Sequence, residues 1–190
     1  MASPQLLDQE LLLRIEREIV APTVSGLQKD GTSYRGFLYF GLMLTEAGPK
    51  VIEYNCRFGD PECQAVMPLI QGDLAGYLLK AAGGVLDATY FSFQDRWSVC
   101  LVLASAGYPA SSRNGDVIAG LDQVGDARVY HAGTRLNEAG DFETNGGRVL
   151  AVVAQGDDRE AAVANAYAAG QNVSFDGAQR RGDIGKLHFT

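Results

Sequence analysis

The polar residues that could do chemistry follow an apolar segment within residues 51–62. Side chains on an extended strand alternate between its two faces, so Glu53, Asn55 and Arg57 share one face. A carboxylate and an amide oxygen two residues apart are hard ligands, and Mg²⁺ typically takes one or two such ligands together with phosphate oxygens. The spacing therefore predicts that Glu53 and Asn55 bind a divalent cation. Arg57, with its planar fork of donors, would contact the phosphates.

The other face of this strand carries Tyr54 and Cys56. We expect Tyr54 to be turned into the core, and Cys56 to be a packing residue rather than a nucleophile. Two alternatives remain open for the polar face. Glu53 and Asn55 can belong to a solvated strand, and Arg57 can form a salt bridge to a nearby carboxylate.

Two loops supply further candidate side chains. The sequence Gly-Asp-Pro-Glu places Asp60 and Glu62 in a turn just after Arg57. An aspartate at position 60 can serve to form the turn or to act in a site, and the sequence favours neither. Gly146, Gly147 and Arg148 precede a strand, and glycines permit a close backbone approach while arginine offers a cation to a phosphate or carboxylate. The alternative is an ordinary hairpin turn with a surface arginine.

The net charge of −7 argues against nucleic acid or a membrane surface as partner, since both select a basic face. The three cysteines have neither metal-ligand spacing nor the even count of a disulfide framework. The leucine run at 11–13 is too short for a signal peptide or a membrane span. We therefore expect a cytoplasmic protein.

Apolar periodicity predicts an α+β chain. Residues 6–20 have the apolar stripe of an amphipathic helix that Pro22 interrupts. A hairpin with a four- or five-residue loop follows, and it carries Glu53 and Asn55. The remaining predicted elements are helices at 64–70, 73–82 (with Asp73 as N-cap) and 158–173, and strands at 98–104, 127–131 and 148–155.

The chain resembles the phosphoribosylamine-glycine ligase family, also called glycinamide ribonucleotide synthetases. The resemblance rests on motifs that follow the family's order: Tyr-Arg-Gly-Phe-Leu-Tyr at 34–39, Gly-Pro-Lys-Val-Ile-Glu-Tyr-Asn-Cys-Arg-Phe-Gly-Asp-Pro-Glu at 48–62, Ala-Ser-Ala-Gly-Tyr-Pro at 104–109, His-Ala-Gly-Thr at 131–134, Thr-Asn-Gly-Gly-Arg-Val-Leu at 144–150 and Asp-Ile-Gly at 183–185. A set of motifs spread over most of the chain is more specific than any one of them.

The resemblance implies a partial ATP-grasp domain at 1–90, a β-hairpin with helices, followed at 91–190 by a small, mainly β domain with one helix. It implies that Glu53 and Asn55 bind Mg²⁺ or Mn²⁺, and that Arg57 lies next to the phosphates of ATP, the co-substrate. It also implies that Asp60 and Glu62 border the substrate site. These assignments come from the family and not from the spacing alone.

The family joins glycine to phosphoribosylamine with ATP hydrolysis, an early step of purine biosynthesis. Its members are longer, and the amino-terminal half that completes the nucleotide clamp has no counterpart in these residues. Catalysis of this kind depends on positioning ATP between two subdomains, so we expect the isolated chain to be inactive. The alternative is a non-catalytic module that folds and binds a metal or a partner without turnover.

Overall fold

The computed structural model describes residues 1–86 and 91–186. The described elements are, in chain order, α1 (Gln9–Ile15), α2 (Ala21–Lys29), β1 (Tyr39–Thr45), β2 (Gly48–Asn55), α3 (Glu62–Val66), β3 (Ile70–Gly72), α4 (Leu74–Gly83), β4 (Phe91–Phe93), β5 (Trp97–Ala104), β6 (Arg128–His131), β7 (Thr134–Leu136), β8 (Phe142–Thr144), β9 (Arg148–Gly156) and α5 (Arg159–Asn172). The mixture of helices and small sheets confirms the predicted fold class.

The chain divides into two compact units. The hairpin unit comprises Pro4–Gly59 and Ile70–Gln94, and the sheet unit comprises Met1–Ser3, Asp60–Leu69 and the chain from Asp95 onward. The turn that carries Asp60 and Glu62 therefore belongs, with α3, to the unit that contains most of the later sequence.

The predicted interruption of the first helical region near Pro22 takes the form of a π-helical segment just before the proline, and the helical path continues through Pro22 to Lys29. Asp8 caps α1 by accepting a hydrogen bond from the Leu11 amide at 2.7 Å. A five-residue π-helical segment, Glu16–Val20, then leads directly into α2, with Pro22 in its first turn. Proline lacks an amide donor, and the wider π turn before it changes the hydrogen-bond spacing at the point where that donor is missing.

The hairpin of β1 and β2 has a tighter turn than predicted. Thr45 pairs with Gly48, so the loop has only two residues, Glu46 and Ala47, and Gly48 and Pro49 lie in the strand. Gly48 has a φ of 108°, a conformation that suits glycine and allows this short connection. Elsewhere in the hairpin unit, the predicted N-cap is confirmed, because Asp73 accepts a hydrogen bond from the Gly76 amide at the start of α4.

The core of the sheet unit is built around β9. This strand pairs antiparallel with β5 on one side and β6 on the other. Its residues 149–154 are all buried, because α5 covers one sheet face and Ala65 of α3 packs on the other. A strand covered on both faces reads as a continuous apolar run, which is the pattern that this segment shows.

Helix α5 approaches the sheet through small side chains. Ala162 and Ala166 are fully buried, and a Cβ atom on Gly170 would lie 2.7 Å from Leu101 Cδ2. Close packing of this kind leaves no volume for a larger side chain. Among the described residues, no helix combines the length and apolar character that crossing a bilayer requires.

We predict that Ala166→Leu destabilises the protein by about 1–3 kcal/mol, because the added atoms must displace packed neighbours between α5 and the sheet. The matched control is Ala164→Leu, on the exposed side of the same helix. Urea unfolding of both variants and the parent measures the difference. Equal stability of the two variants would contradict the packing described here.

Candidate functional site

Glu53 and Asn55 lie on one face of β2, as their spacing predicts. The Asn55 side-chain amide donates to Glu53 Oε1 at 3.1 Å, so the two side chains are in contact. On the neighbouring strand, Gly41 is paired with Glu53, and a Cβ atom at Gly41 would lie 2.8 Å from Glu53 Cγ. Glycine at that position therefore leaves room for the glutamate side chain across the hairpin.

This pair presents side-chain oxygens that are open to a ligand. Glu53 is exposed, and its second carboxylate oxygen accepts no hydrogen bond from the described part of the chain. Within residues 1–86 and 91–186, no group of three or more histidine, cysteine, aspartate or glutamate side chains is arranged to hold a metal ion. A cation here would need oxygens from elsewhere, which is the usual situation for Mg²⁺ with phosphates.

The predictions for the opposite face of β2 are wrong. Tyr54 is 48% exposed, and Cys56 is an exposed free cysteine. Tyr54 makes two side-chain contacts. Its hydroxyl oxygen lies 3.2 Å from Thr23 Oγ1, and its ring centroid lies 5.5 Å from that of Phe40. The hairpin is a two-stranded sheet, and so narrow a sheet cannot bury a whole face.

Arg57 extends from the end of β2 and is exposed. Its guanidinium donates to the Phe58 carbonyl oxygen at 3.0 Å. The Phe58 ring packs on Phe37, with 4.2 Å between the ring centroids, and this contact anchors the backbone that carries Arg57. The guanidinium retains donors that a phosphate or carboxylate could use.

The turn at Asp60 is joined to the loop at Arg148. Arg148 donates to the Asp60 carbonyl oxygen at 2.8 Å, and its second terminal nitrogen lies 3.3 Å from Asp60 Oδ2. Gln64 donates to Asp60 Oδ1 at 2.8 Å. Asp60 and Arg148, which belong to separate sequence motifs, are thus in contact. Gln64 was not predicted, because nothing in its local sequence distinguishes it from other polar residues of a short helix.

Glu62 begins α3, beside Cys63, a partly buried free cysteine. Burial raises the pKa of the Cys63 thiol, and the negative charges of Glu62 and Asp60 raise it further. A thiol in such surroundings stays protonated near neutral pH and is a poor nucleophile.

Packing leaves no room for a side chain at Gly147 and little room at Gly146. A Cβ atom on Gly147 would lie 2.5 Å from Tyr108 Cδ2, and one on Gly146 would lie 3.1 Å from Gly133 Cα. The Gly147 carbonyl accepts a hydrogen bond from the Ser105 amide at 2.9 Å. These contacts fix the backbone immediately before Arg148, so its side chain starts from a defined position. Binding of an anion by this loop stays a prediction.

We predict that Gly147→Ala lowers the stability of the protein by about 1–3 kcal/mol, since its Cβ atom would overlap the Tyr108 ring. Gly182→Ala is the matched control, because a Cβ atom there has nothing within 4 Å. Thermal unfolding of the two variants provides the comparison. A Gly147→Ala protein as stable as the control would show that the Tyr108 ring moves freely.

The cysteines should differ sharply in reactivity. Cys100 is buried, and burial raises its pKa to about 11. At pH 8 its thiolate fraction is then on the order of one in a thousand. We predict that iodoacetamide at pH 8 modifies Cys56 first and leaves Cys100 unmodified, as measured by peptide mass spectrometry. In urea all three cysteines should react, and protection that persists there would rule out burial as the cause.

Comparison with known proteins relates both halves of the chain to one enzyme. Residues 1–63 match the model of the phosphoribosylglycinamide synthetase ATP-grasp (A) domain, and residues 98–187 match that of the C domain of the same synthetase. The first match defines the class, because it assigns the residues before the C domain to an ATP-grasp protein.

Relatives give the same result. The chain is 48% identical over 175 residues to phosphoribosylamine–glycine ligase from Neisseria meningitidis serogroup A, which covers 90% of this chain and 41% of the relative. It is 47% identical over 179 residues to the ligase of Vibrio parahaemolyticus, covering 93% of this chain and 42% of the relative. The crystal structure of the Thermotoga maritima ligase superposes with a TM-score of 0.82 at 31% identity, covering 94% of this chain and 44% of the other.

The chain therefore belongs to the phosphoribosylglycinamide synthetase family, as the sequence motifs indicated. It spans about two fifths of the length of the curated relatives it matches.

Proposed function

We propose that this chain is part of an ATP-dependent ligase that joins glycine to 5-phosphoribosylamine, giving glycinamide ribonucleotide, ADP and phosphate in purine biosynthesis. The observation that carries the proposal is the match of two domains of one synthetase, in A-then-C order, over most of the chain. The names of the relatives support it. A cytoplasmic location, without nucleic-acid or membrane partners, belongs to the same proposal.

Glu53 and Asn55 are the residues that would hold Mg²⁺ or Mn²⁺. They fit this role because a carboxylate oxygen and an amide oxygen lie on one exposed strand face with positions open to a ligand. The cation would neutralise charge on the ATP phosphates during phosphoryl transfer to the glycine carboxylate. Arg57, exposed at the end of the same strand, would add donors to those phosphates.

The second group of residues would act on the amine. An ionised carboxylate is purely a hydrogen-bond acceptor, so Asp60 or Glu62 can orient the amine of phosphoribosylamine toward the activated glycine. The loop of Gly146, Gly147 and Arg148 would offer a cation to a phosphate or carboxylate of the substrates. Its contacts with Asp60 support a place beside the acids.

The second candidate function, for the isolated chain, is binding without catalysis. The pairing of β1 with β2 forms a sheet of only two strands, and apolar side chains on both of its faces are exposed, among them Val51 and Ile52. Phosphoryl transfer depends on enclosing and positioning the nucleotide. We propose that the remaining three fifths of the relatives' length supplies the other wall of that site, and that this chain alone binds without turnover.

Activity can be tested by joining the chain to the preceding part of the Neisseria meningitidis relative. We predict no glycine- and phosphoribosylamine-dependent ADP release from the 190-residue chain, and turnover by the chimera. In the chimera, Glu53→Gln should lower kcat by at least about tenfold, since it removes a negative charge from the cation site while keeping the side-chain shape. The matched control is Glu46→Gln, in the exposed hairpin turn.

Steady-state ADP production with varied Mg²⁺ separates the outcomes. Robust turnover by the chain alone would overturn its assignment as an incomplete site. Full activity of the Glu53→Gln chimera, or an equal loss in Glu46→Gln, would remove the metal role from Glu53. A chimera that folds yet never consumes ATP would count against the proposed reaction itself.

A further inference from the structure

Both carboxylate oxygens of Asp60 are held by side chains of the sheet unit. The Gln64 amide donates to Oδ1 at 2.8 Å, and the Arg148 guanidinium lies 3.3 Å from Oδ2 while donating to the Asp60 carbonyl at 2.8 Å. One partner comes from α3 and the other from the first residue of β9. The Asp60 side chain is still 52% exposed, so the carboxylate is fixed in direction but open to a ligand.

The other end of the Gln64 amide is not satisfied. Within residues 1–86 and 91–186, Gln64 Oε1 is buried and has no hydrogen-bond partner. A buried acceptor without a donor is destabilising, and an apolar side chain of similar size would avoid that penalty. Stability alone therefore does not explain glutamine at this position. The hydrogen bond of this side chain is made by its amide nitrogen, which donates to Asp60 Oδ1.

We propose that Gln64 is a positioning residue, which together with Arg148 aims the Asp60 carboxylate at the amine of the incoming substrate. This inference rests on the proposed function and extends it to a residue outside the predicted site. With Oδ1 and Oδ2 each engaged on one side, the remaining lone pairs of the carboxylate point in set directions. An amine that donates to them is held in one orientation rather than many, which is how positioning lowers a reaction barrier.

A structural role and a positioning role for Gln64 differ in their expected effects on stability and activity. If the amide only braces the turn, its loss should lower the melting temperature and affect all substrates alike. If it positions Asp60, its loss should spare stability, because the unsatisfied acceptor is lost with it. The effect should then fall on the amine substrate.

The decisive variant is Gln64→Met in the active chimera, with Gln171→Met on the exposed surface of α5 as control. We expect a melting temperature equal to or above that of the parent and an unchanged KM for ATP. We expect kcat/KM for phosphoribosylamine to fall by about tenfold or more, the effect of losing one hydrogen bond to a charged group. A lower melting temperature with unchanged kcat/KM, or an equal loss for every substrate, would overturn the proposal.

A second measurement does not depend on turnover. In the 190-residue chain, proton exchange of the Gln64 side-chain amide, followed by ¹⁵N NMR, should become several-fold faster in Asp60→Ala than in the parent. Unchanged exchange would show that the contact is absent and would overturn the inference. If the contact is present but the chimera is inactive, the proposed function fails, and the positioning role is rejected with it.

Discussion

The burial of β9 on both faces is the constraint on which the sheet unit depends. Helix α5 and residue Ala65 of α3 cover the two faces, and β5 and β6 complete its backbone hydrogen bonds. A strand held in this way has little freedom in position or register. Arg148, its first residue, is therefore a fixed point from which the guanidinium reaches the Asp60 turn. The candidate amine site takes its rigidity from a core strand, although Asp60 lies in a turn and Glu62 at the start of a short helix.

The hairpin unit lacks comparable support. Its two-stranded sheet exposes apolar side chains on both faces, among them Ile52 at 63% and Tyr54 at 48%. A two-stranded hairpin is marginal unless other elements pack on it. Local features still set the geometry of Glu53 and Asn55: strand alternation places them together, and Gly41 leaves space across the hairpin. The placement of Glu53 and Asn55 is thus determined by local sequence, whereas the burial of the hairpin is not.

This difference explains what could be predicted from the sequence. Properties fixed within a few residues were accessible: the shared face of Glu53 and Asn55, the N-cap at Asp73 and the α5 helix. The exposure of Tyr54 and Cys56 was not accessible, because alternation predicts which face a residue occupies but not whether anything covers that face.

Contacts between residues far apart in the chain could not be predicted from the sequence either. Nothing in the Gly-Asp-Pro-Glu motif indicates that Arg148, 88 residues away, holds its aspartate. Gln64 escaped notice because glutamine on a short helix has no distinctive spacing, and its role depends on which carboxylate lies one turn earlier. The π-helical turn before Pro22 was not predicted, because such a turn leaves no clear pattern of residue types.

The link between Asp60 and Arg148 has a consequence for the timing of assembly. During synthesis the ribosome releases the Asp60 turn long before residue 148, at rates of about 5–20 residues per second. Until β9 has paired with β5, the carboxylate has no distant partner, and contacts of such large sequence separation form late because closing the intervening loop costs entropy. The acidic turn is therefore organised only after the sheet is complete. In a nascent chain, the Asp60 turn would therefore be exposed for several seconds before its contact with Arg148 can form.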